Sequence, residues 1–235
     1  MVNIDVINES TEASDQMIKW LTAALQIQVS RDFAPIWGVD AKLFFVPKRG
    51  VPNPAHWQLV FLDNSDVAGA LGYHDLTASG LPLGKVFIRT TELDNASWSV
   101  TASHELLEML VDPWVETAAV LLNNDGTGVA FAYEVGDPVE LDSFGYVIND
   151  FKVSDFVTPE WFSPPTLTGG PFDVRNQVTQ PLQILTGGYI GVIDILSSNG
   201  WQILQSHGEK TNVVPKGSRR ELRTIPREHR KRSAQ

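Results

Sequence analysis

Residues 103–113 read Ser-His-Glu-Leu-Leu-Glu-Met-Leu-Val-Asp-Pro and are the most informative stretch of the chain. Their apolar residues recur at helical spacing, which predicts a helix over about 97–111 with a buried face. Ser97 or Ser99 can cap the start of this helix. Pro113 disfavours helical geometry at the residue before it, so the helix should end at Asp112.

This helix carries the residue pattern of a metal site. Residues four apart lie one turn apart on the same face, so His104 and Glu108 can reach a single ion. Glu105 lies beside that pair, where it can take a proton from water activated by the ion. In the HExxH pattern two histidines hold zinc and the glutamate is the general base. Here Glu108 stands at the place of the second histidine, and a carboxylate also ligates zinc.

Acids and histidines recur at the ends of two other predicted elements. Glu134 and Asp137 flank Gly136, which we expect to permit a tight turn that brings the two carboxylates together. Either of them would supply the third metal ligand. His74 follows a predicted strand, and we expect it to be a ligand or to donate a hydrogen bond to a developing oxyanion.

Asp112 requires a different role. It lies about 12 Å from His104 along the helix axis, at 1.5 Å per residue. The two side chains cannot easily meet at one zinc with bonds of about 2 Å. We therefore expect Asp112 to make a capping contact, to hydrogen bond to a ligand, or to bind a second ion.

The wider pattern predicts an α+β fold. Apolar spacing and flanking turn residues distinguish helices from strands, and no convincing linker precedes residue 208. The chain is thus read as one domain over 1–208 with a basic tail over 209–235. Outside the site helix, the predicted elements are a helix over 11–33 capped by Ser10 or Thr11, strands at 41–46, 57–62, 68–73 and 85–89, a hairpin of 117–122 with 129–134, an irregular loop at 158–173, and late strands at 187–193 and 201–204.

The site motifs resemble a known family. The run from Ser103 to Pro113 reads SHExxExxxDP, and Glu134-x-Gly136-Asp137 follows it. Together these motifs resemble secreted and phage-associated zincin-like (metallopeptidase-like) proteins, whose core motif also occurs in plant Exordium-like proteins. The resemblance covers about residues 72–140. It implies a mixed sheet packed on an N-terminal helix and the site helix, with a substrate cleft along an edge strand that residues 84–90 would form.

Charge divides the chain into an acidic body and a basic tail. Residues 210–235 hold nine Lys and Arg against two acids, a charge of +7, whereas the rest holds nine bases against 26 acids, a charge of −17. An acidic body repels nucleic-acid phosphate and suits cations, so nucleic-acid binding is disfavoured except through residues 216–232. The tail is either an arm that contacts an acidic surface or a solvated terminus.

Other features narrow the chemistry. The chain has no cysteine, so thiolate metal sites and disulfides are excluded. It shows neither a membrane-spanning apolar run nor the basic and apolar start of a secretory signal, and these features assign no localisation. The remaining histidines are expected to be structural or surface residues, and four tryptophans are expected in the core: His56, His207 and His229; Trp98, Trp114, Trp161 and Trp201.

Two functions follow from this pattern. The first is a metal-dependent hydrolase of the zinc-metallopeptidase type, acting on a peptide or protein, with Glu105 as the base. The second is a non-catalytic protein in which the same acidic cluster binds calcium or another cation for a structural role. Zn²⁺ is the expected ion, with Ca²⁺ or Mn²⁺ as alternatives because Glu108 is a harder ligand than histidine.

Overall fold

A five-stranded mixed sheet forms one layer of the protein. The computed structural model describes residues 1–67, 69–166 and 169–212. The strand order is β2-β1-β3-β5-β4. The first four of these strands run parallel, and β4 lies antiparallel to β5 at the edge. The strands span Val2–Asn8 (β1), Ala41–Val46 (β2), Trp57–Leu62 (β3), Gly72–Leu76 (β4) and Pro82–Phe87 (β5).

The later half of the chain forms a second, antiparallel sheet. Its order is β12-β11-β10-β7-β6, and a short ribbon of two strands, β8 and β9, lies between its β7 and β10 in sequence. These strands span Ala118–Leu122 (β6), Gly128–Ala132 (β7), Tyr146–Ile148 (β8), Phe151–Val153 (β9), Tyr189–Asp194 (β10), Gln202–Gln205 (β11) and Lys210–Asn212 (β12).

Two long helices pack on the first sheet. The first, α1, contacts β1 and β2, whereas the site helix, α4, contacts β4 and β5, and both contact β9. A π-helical segment continues α1 directly into α2. The helices span Asp15–Ile27 (α1), Gln28–Phe33 (π), Ala34–Trp37 (α2), Ile88–Leu93 (α3) and Trp98–Val111 (α4), with 3₁₀ turns at Asp137–Val139, Asp142–Phe144 and Pro159–Phe162.

The α+β class is confirmed, and so are several local predictions. The predicted hairpin is β6–β7, whose turn contains Gly126 at a φ of 83°. The site helix ends at Val111, with Asp112 as its C-cap immediately before Pro113. His56 bonds to Asp5, and His207 is a surface residue.

The helix caps differ from the prediction. Helix α1 begins at Asp15, and the Ser14 hydroxyl caps it by accepting a hydrogen bond from the Met17 N–H. Ser10 and Thr11 instead bind the carboxylate of Asp63. Helix α4 receives no hydrogen bond from the Ser97 or Ser99 side chain at its start.

Tertiary context overturned other predictions. Strand β1 was not predicted, and it lies inside its sheet, between β2 and β3. The strand expected at 85–89 ends at Phe87, because the chain turns there into α3. The segment 84–90 does not form an edge, since β5 pairs on both sides, with β3 and β4. Trp114 is 54% exposed rather than buried, whereas Trp161 lies in the core.

Two findings concern the predicted basic tail and membrane-spanning helices. Lys210–Asn212 pair with β11, so the second sheet extends through Asn212. Residues 213–235, which include most of the predicted tail and His229, lie outside the described residues. In the described ranges, no helix has the length and apolar composition required to cross a bilayer.

Candidate metal centre

The site lies where α4, β4 and the segment after β7 meet. Helix α4 presents His104, Glu105 and Glu108 on its inner side, and all three are at most 7% exposed. Gly72 allows this close approach. A Cβ on Gly72 would lie 2.6 Å from Thr101 and 2.9 Å from the Glu105 Cγ. A larger residue at this position in β4 would push the helix away from the sheet.

An acidic side chain from outside the helix fixes the start of α4. The carboxylate of Asp142 accepts a hydrogen bond of 2.7 Å from the Ser97 N–H, which satisfies one of the amides that a helix start leaves without a partner. The Ser99 hydroxyl donates to the carbonyl of Lys152. The helix is therefore held at its first turn by the segment that follows the site acids in sequence.

The first donor set joins His104, Glu108 and Asp137. His104 Nε2 lies 3.2 Å from Glu108 Oε1 and 3.3 Å from Asp137 Oδ1. Donor atoms around a tetrahedral ion with bonds of about 2.1 Å lie about 3.4 Å apart. The observed distances match that spacing, and all three donor atoms lie within 4.8 Å of one another. Between the two predicted candidates for the third ligand, the fold thus brings Asp137 to His104.

Gly136 and Glu140 position the His104 ring. A Cβ on Gly136 would lie only 2.5 Å from His104 Nδ1, so the imidazole packs flat against the glycine backbone. Gly136 N–H also donates to Glu108 Oε1 at 3.2 Å. The chain turns here as expected, and the Val139 N–H donates to the Gly136 carbonyl. The φ of Gly136 is −90°, so the glycine is required for the space that it leaves to the imidazole and not for an unusual backbone. Glu140 Oε2 lies 3.7 Å from Nδ1, on the opposite side of the ring from the first donor set.

A second donor set lies on the other side of Glu108. His74 is fully buried on β4, and its Nδ1 lies 3.5 Å from Glu105 Oε2 and 3.8 Å from Glu108 Oε2. Glu105 therefore lies next to Glu108 but faces His74 and not His104. The two carboxylate oxygens of Glu108 consequently face two different histidines.

Glu134 and Asp112 lie beside His74. Their carboxylates and the His74 ring offer donor atoms within 4.8 Å of one another. The Asp112 Oδ1 also accepts hydrogen bonds from the N–H groups of Glu116 and Thr117, at 2.8 and 2.9 Å. Asp112 thus fastens the turn that follows α4, and the fold groups it with His74 and not with His104.

Charge in this region is strongly unbalanced. Five buried carboxylates belong to the three donor sets, with only two histidines among them. The described residues that line the cleft include no Lys or Arg. Burying several carboxylates without cations is costly, so the arrangement favours binding of positive charge.

Proton affinities in the site reflect that imbalance. Burial acts to lower the pKa of His104, but the charge of Glu108 and the hydrogen bond to Asp137 outweigh it and hold the pKa well above its usual value. Burial raises the pKa of Asp137 to about 6, although His104 opposes the rise. Burial likewise raises the pKa of Glu108 well above its usual value. A cation that binds here would therefore displace protons.

The donors present fit a divalent transition metal better than calcium. Imidazole nitrogen combined with carboxylate oxygen suits zinc and related ions. Calcium prefers six to eight oxygen ligands, whereas His104 and His74 each direct a ring nitrogen at the carboxylates.

An open cleft leads to the first donor set. It measures about 820 Å³ together with the solvent at its mouth, and its walls come from β4, α4, the segment after β7, and the second sheet. Glu140 and Asp142 line it, and neither was predicted as a site residue. In the sequence, Glu140 was marked by its position three residues after Asp137. The 3₁₀ turn at Asp137–Val139 brings residues at that spacing close together.

Comparison with known proteins gave no relative. No family model, curated protein or solved structure matches this chain. The chemistry of the site is therefore the basis for a functional conclusion.

Proposed function

We propose that the protein is a metal-dependent hydrolase of the zinc-metallopeptidase type. The observation that carries the proposal is the convergence of His104 Nε2, Glu108 Oε1 and Asp137 Oδ1 on one point beside an open cleft. These residues would hold the cation. A divalent cation, when bound, polarises a carbonyl and lowers the pKa of water next to it.

Glu105 is the candidate proton acceptor. Its carboxylate lies next to Glu108, borders the cleft and is 7% exposed, so it is close to the cation site without belonging to the first donor set. A carboxylate at this place can take a proton from attacking water and deliver it to a leaving group. His104 is held against Gly136, which keeps its Nε2 directed at the site.

A peptide or protein is the proposed substrate class. Leu71, Gly72 and Tyr73 line the cleft at the beginning of β4. In the described part of the chain β4 is the last strand of its sheet, so its outer edge can pair with an extended segment through backbone hydrogen bonds. The proposed edge is thus β4 and not the segment 84–90.

Metal content and cleavage of a protein substrate test the proposal. The purified protein should contain zinc or manganese and cleave an unfolded substrate such as casein, and chelation should abolish cleavage. Glu105→Gln should lower kcat by roughly 10²–10⁴-fold, the usual contribution of a general base, while the His104 site keeps its metal. Glu92→Gln is the matched control, because Glu92 is exposed on α3.

A non-catalytic cation-binding role is the competing function. Glu108 at the place of a second histidine, together with the surplus of buried carboxylates, favours it. In that case the chain would bind metal and gain thermal stability from it, but the Glu105→Gln variant and the wild type would both fail to cleave any substrate. That pair of results would overturn the hydrolase proposal.

A further inference from the structure

The second donor set has the spacing of a metal site in its own right. His74 Nδ1 lies 3.5 Å from Glu105 Oε2 and 3.8 Å from Glu108 Oε2. These distances exceed the usual 2.7–3.2 Å of an N–H···O hydrogen bond. They are close to the separation of about 3.4 Å between ligands on a tetrahedral ion. His74, Glu105 and Glu108 are all at least nine-tenths buried.

Glu108 connects the two donor sets. Its Oε1 faces His104 at 3.2 Å and accepts the Gly136 N–H, while its Oε2 faces His74 at 3.8 Å. A carboxylate whose two oxygens face different imidazoles has the geometry of a bridge between two ions, as in two-metal hydrolytic sites.

We propose that His74, Glu105 and Glu108 hold a second divalent cation of the zinc or manganese class, with Glu108 shared between the two ions. The proposal deepens the proposed function and rests on it for the first cation, held by His104, Glu108 and Asp137. Glu105 then ligates the second cation when that ion is bound, and it is the proton acceptor of the proposed function when the first cation alone is bound.

Charge supports two cations over one. The three donor groups contain five carboxylates. With both histidines neutral, one divalent cation leaves three negative charges in the buried cluster, whereas two cations leave one. Because a large net charge in a buried cluster is costly, the second cation stabilises the folded protein.

The surroundings of His74 also suit a ligand. Metal-binding histidines usually donate their other ring N–H to a carboxylate, which fixes the orientation of the ring. Asp112 and Glu134 lie beside this imidazole, and Asp112 is itself held by the N–H groups of Glu116 and Thr117. A second site would thus account for the burial of Asp112, which does not line the cleft.

Metal stoichiometry of the full-length protein tests the proposal. The protein is stripped with chelator, reloaded with Zn²⁺, freed of excess metal and analysed by mass spectrometry. We expect two equivalents in the wild type. His74→Ala and His104→Ala should each retain one equivalent, and Glu105→Gln should also fall to one. His207→Ala is the control and should retain two, because His207 lies on the surface beside Glu209.

The possible outcomes separate the two proposals. One equivalent in the wild type, or two in a folded His74→Ala variant, overturns the second site. A measurement on the wild type remains decisive if His74→Ala does not fold: crystals of the Zn²⁺-loaded protein should show two anomalous peaks, one on each side of Glu108, and a single peak beside His104 contradicts the proposal. Two bound ions without any hydrolysis would overturn the hydrolase function and leave the second site standing.

Discussion

Replacing Gly136 by alanine would test how the fold places His104. The added Cβ would lie 2.5 Å from Nδ1, 2.8 Å from Cε1 and 2.9 Å from Cγ of the imidazole. Unstrained contacts between such atoms are about 3.5 Å, so the ring must move by roughly 1 Å. Metal ligands tolerate deviations of only about 0.2 Å, and a displacement of 1 Å near reacting groups costs on the order of 100-fold in rate.

We expect two separable effects of Gly136→Ala. Overpacking of a buried site costs about 1–3 kcal/mol of stability. The displaced ring should weaken Zn²⁺ binding by about 10–100-fold, the range seen when the support of a metal ligand is disturbed. Isothermal titration calorimetry of the stripped protein measures the affinity, and urea unfolding measures the stability.

Gly38→Ala provides the control for a general loss of stability. Gly38 has a φ of 71° at the end of α2, and a Cβ there would meet nothing within 4 Å. Alanine at such a position costs about 1–2 kcal/mol through backbone strain alone. It should leave Zn²⁺ affinity unchanged. A folded Gly136→Ala variant with wild-type affinity would refute the assignment of His104 as a ligand held in place by the glycine.

Two further substitutions test electrostatics inside and outside the site. Glu140→Gln should weaken Zn²⁺ binding by about 10–100-fold, because the charge of Glu140 beside His104 Nδ1 favours the ligating orientation of the ring; unchanged affinity in calorimetry would rule this role out. Asp155 is fully buried, and burial together with its hydrogen bond to Asp173 raises its pKa from 3.8 to about 9. Below pH 3.8 this carboxyl is neutral in the folded and the unfolded chain, and its contribution to the free energy of unfolding is complete. The contribution is lost as pH rises from 3.8 towards 9, because the carboxyl ionises in the unfolded chain and stays neutral in the folded one. Asp155→Asn should therefore stabilise the protein by up to about 4 kcal/mol at pH 7, at 1.36 kcal/mol per pH unit, and by little near pH 4. Equal urea midpoints for the wild type and the Asp155→Asn variant at pH 7 would contradict the expected stabilisation.

Local sequence predicted the elements whose signals are short in range. The spacing of apolar residues and Pro113 located α4 to within about one residue of its observed bounds. The turn around Gly126 located the hairpin β6–β7. By contrast, β1 was missed although it is an interior strand of its sheet, because its pairing partners β2 and β3 lie more than thirty residues away in sequence.

The helix caps and the edge strand were decided by contacts between distant segments and not by local sequence. Four residues have side chains that can cap a helix, and sequence alone does not decide which of them does so: Ser10, Thr11, Ser14 and Ser97. The choice depended on Asp63 and Asp142, which reach Ser10, Thr11 and Ser97 from distant segments. Strand order likewise depends on how the parallel strands assemble, so β4 and not 84–90 became the edge.

The candidate site divides in the same way. The pairing of His104 with Glu108 follows from the sequence, because an α-helix places residues four apart on one face whatever surrounds it. The choice of Asp137 beside His104, the burial of His74 against Glu105, and the contact between Gly136 and the imidazole were decided by tertiary structure. Each of those contacts joins segments that are thirty or more residues apart, and no local periodicity determines the distance between such segments. Their positions depend on how α4 packs against Gly72 of the sheet and on how the chain returns after β7.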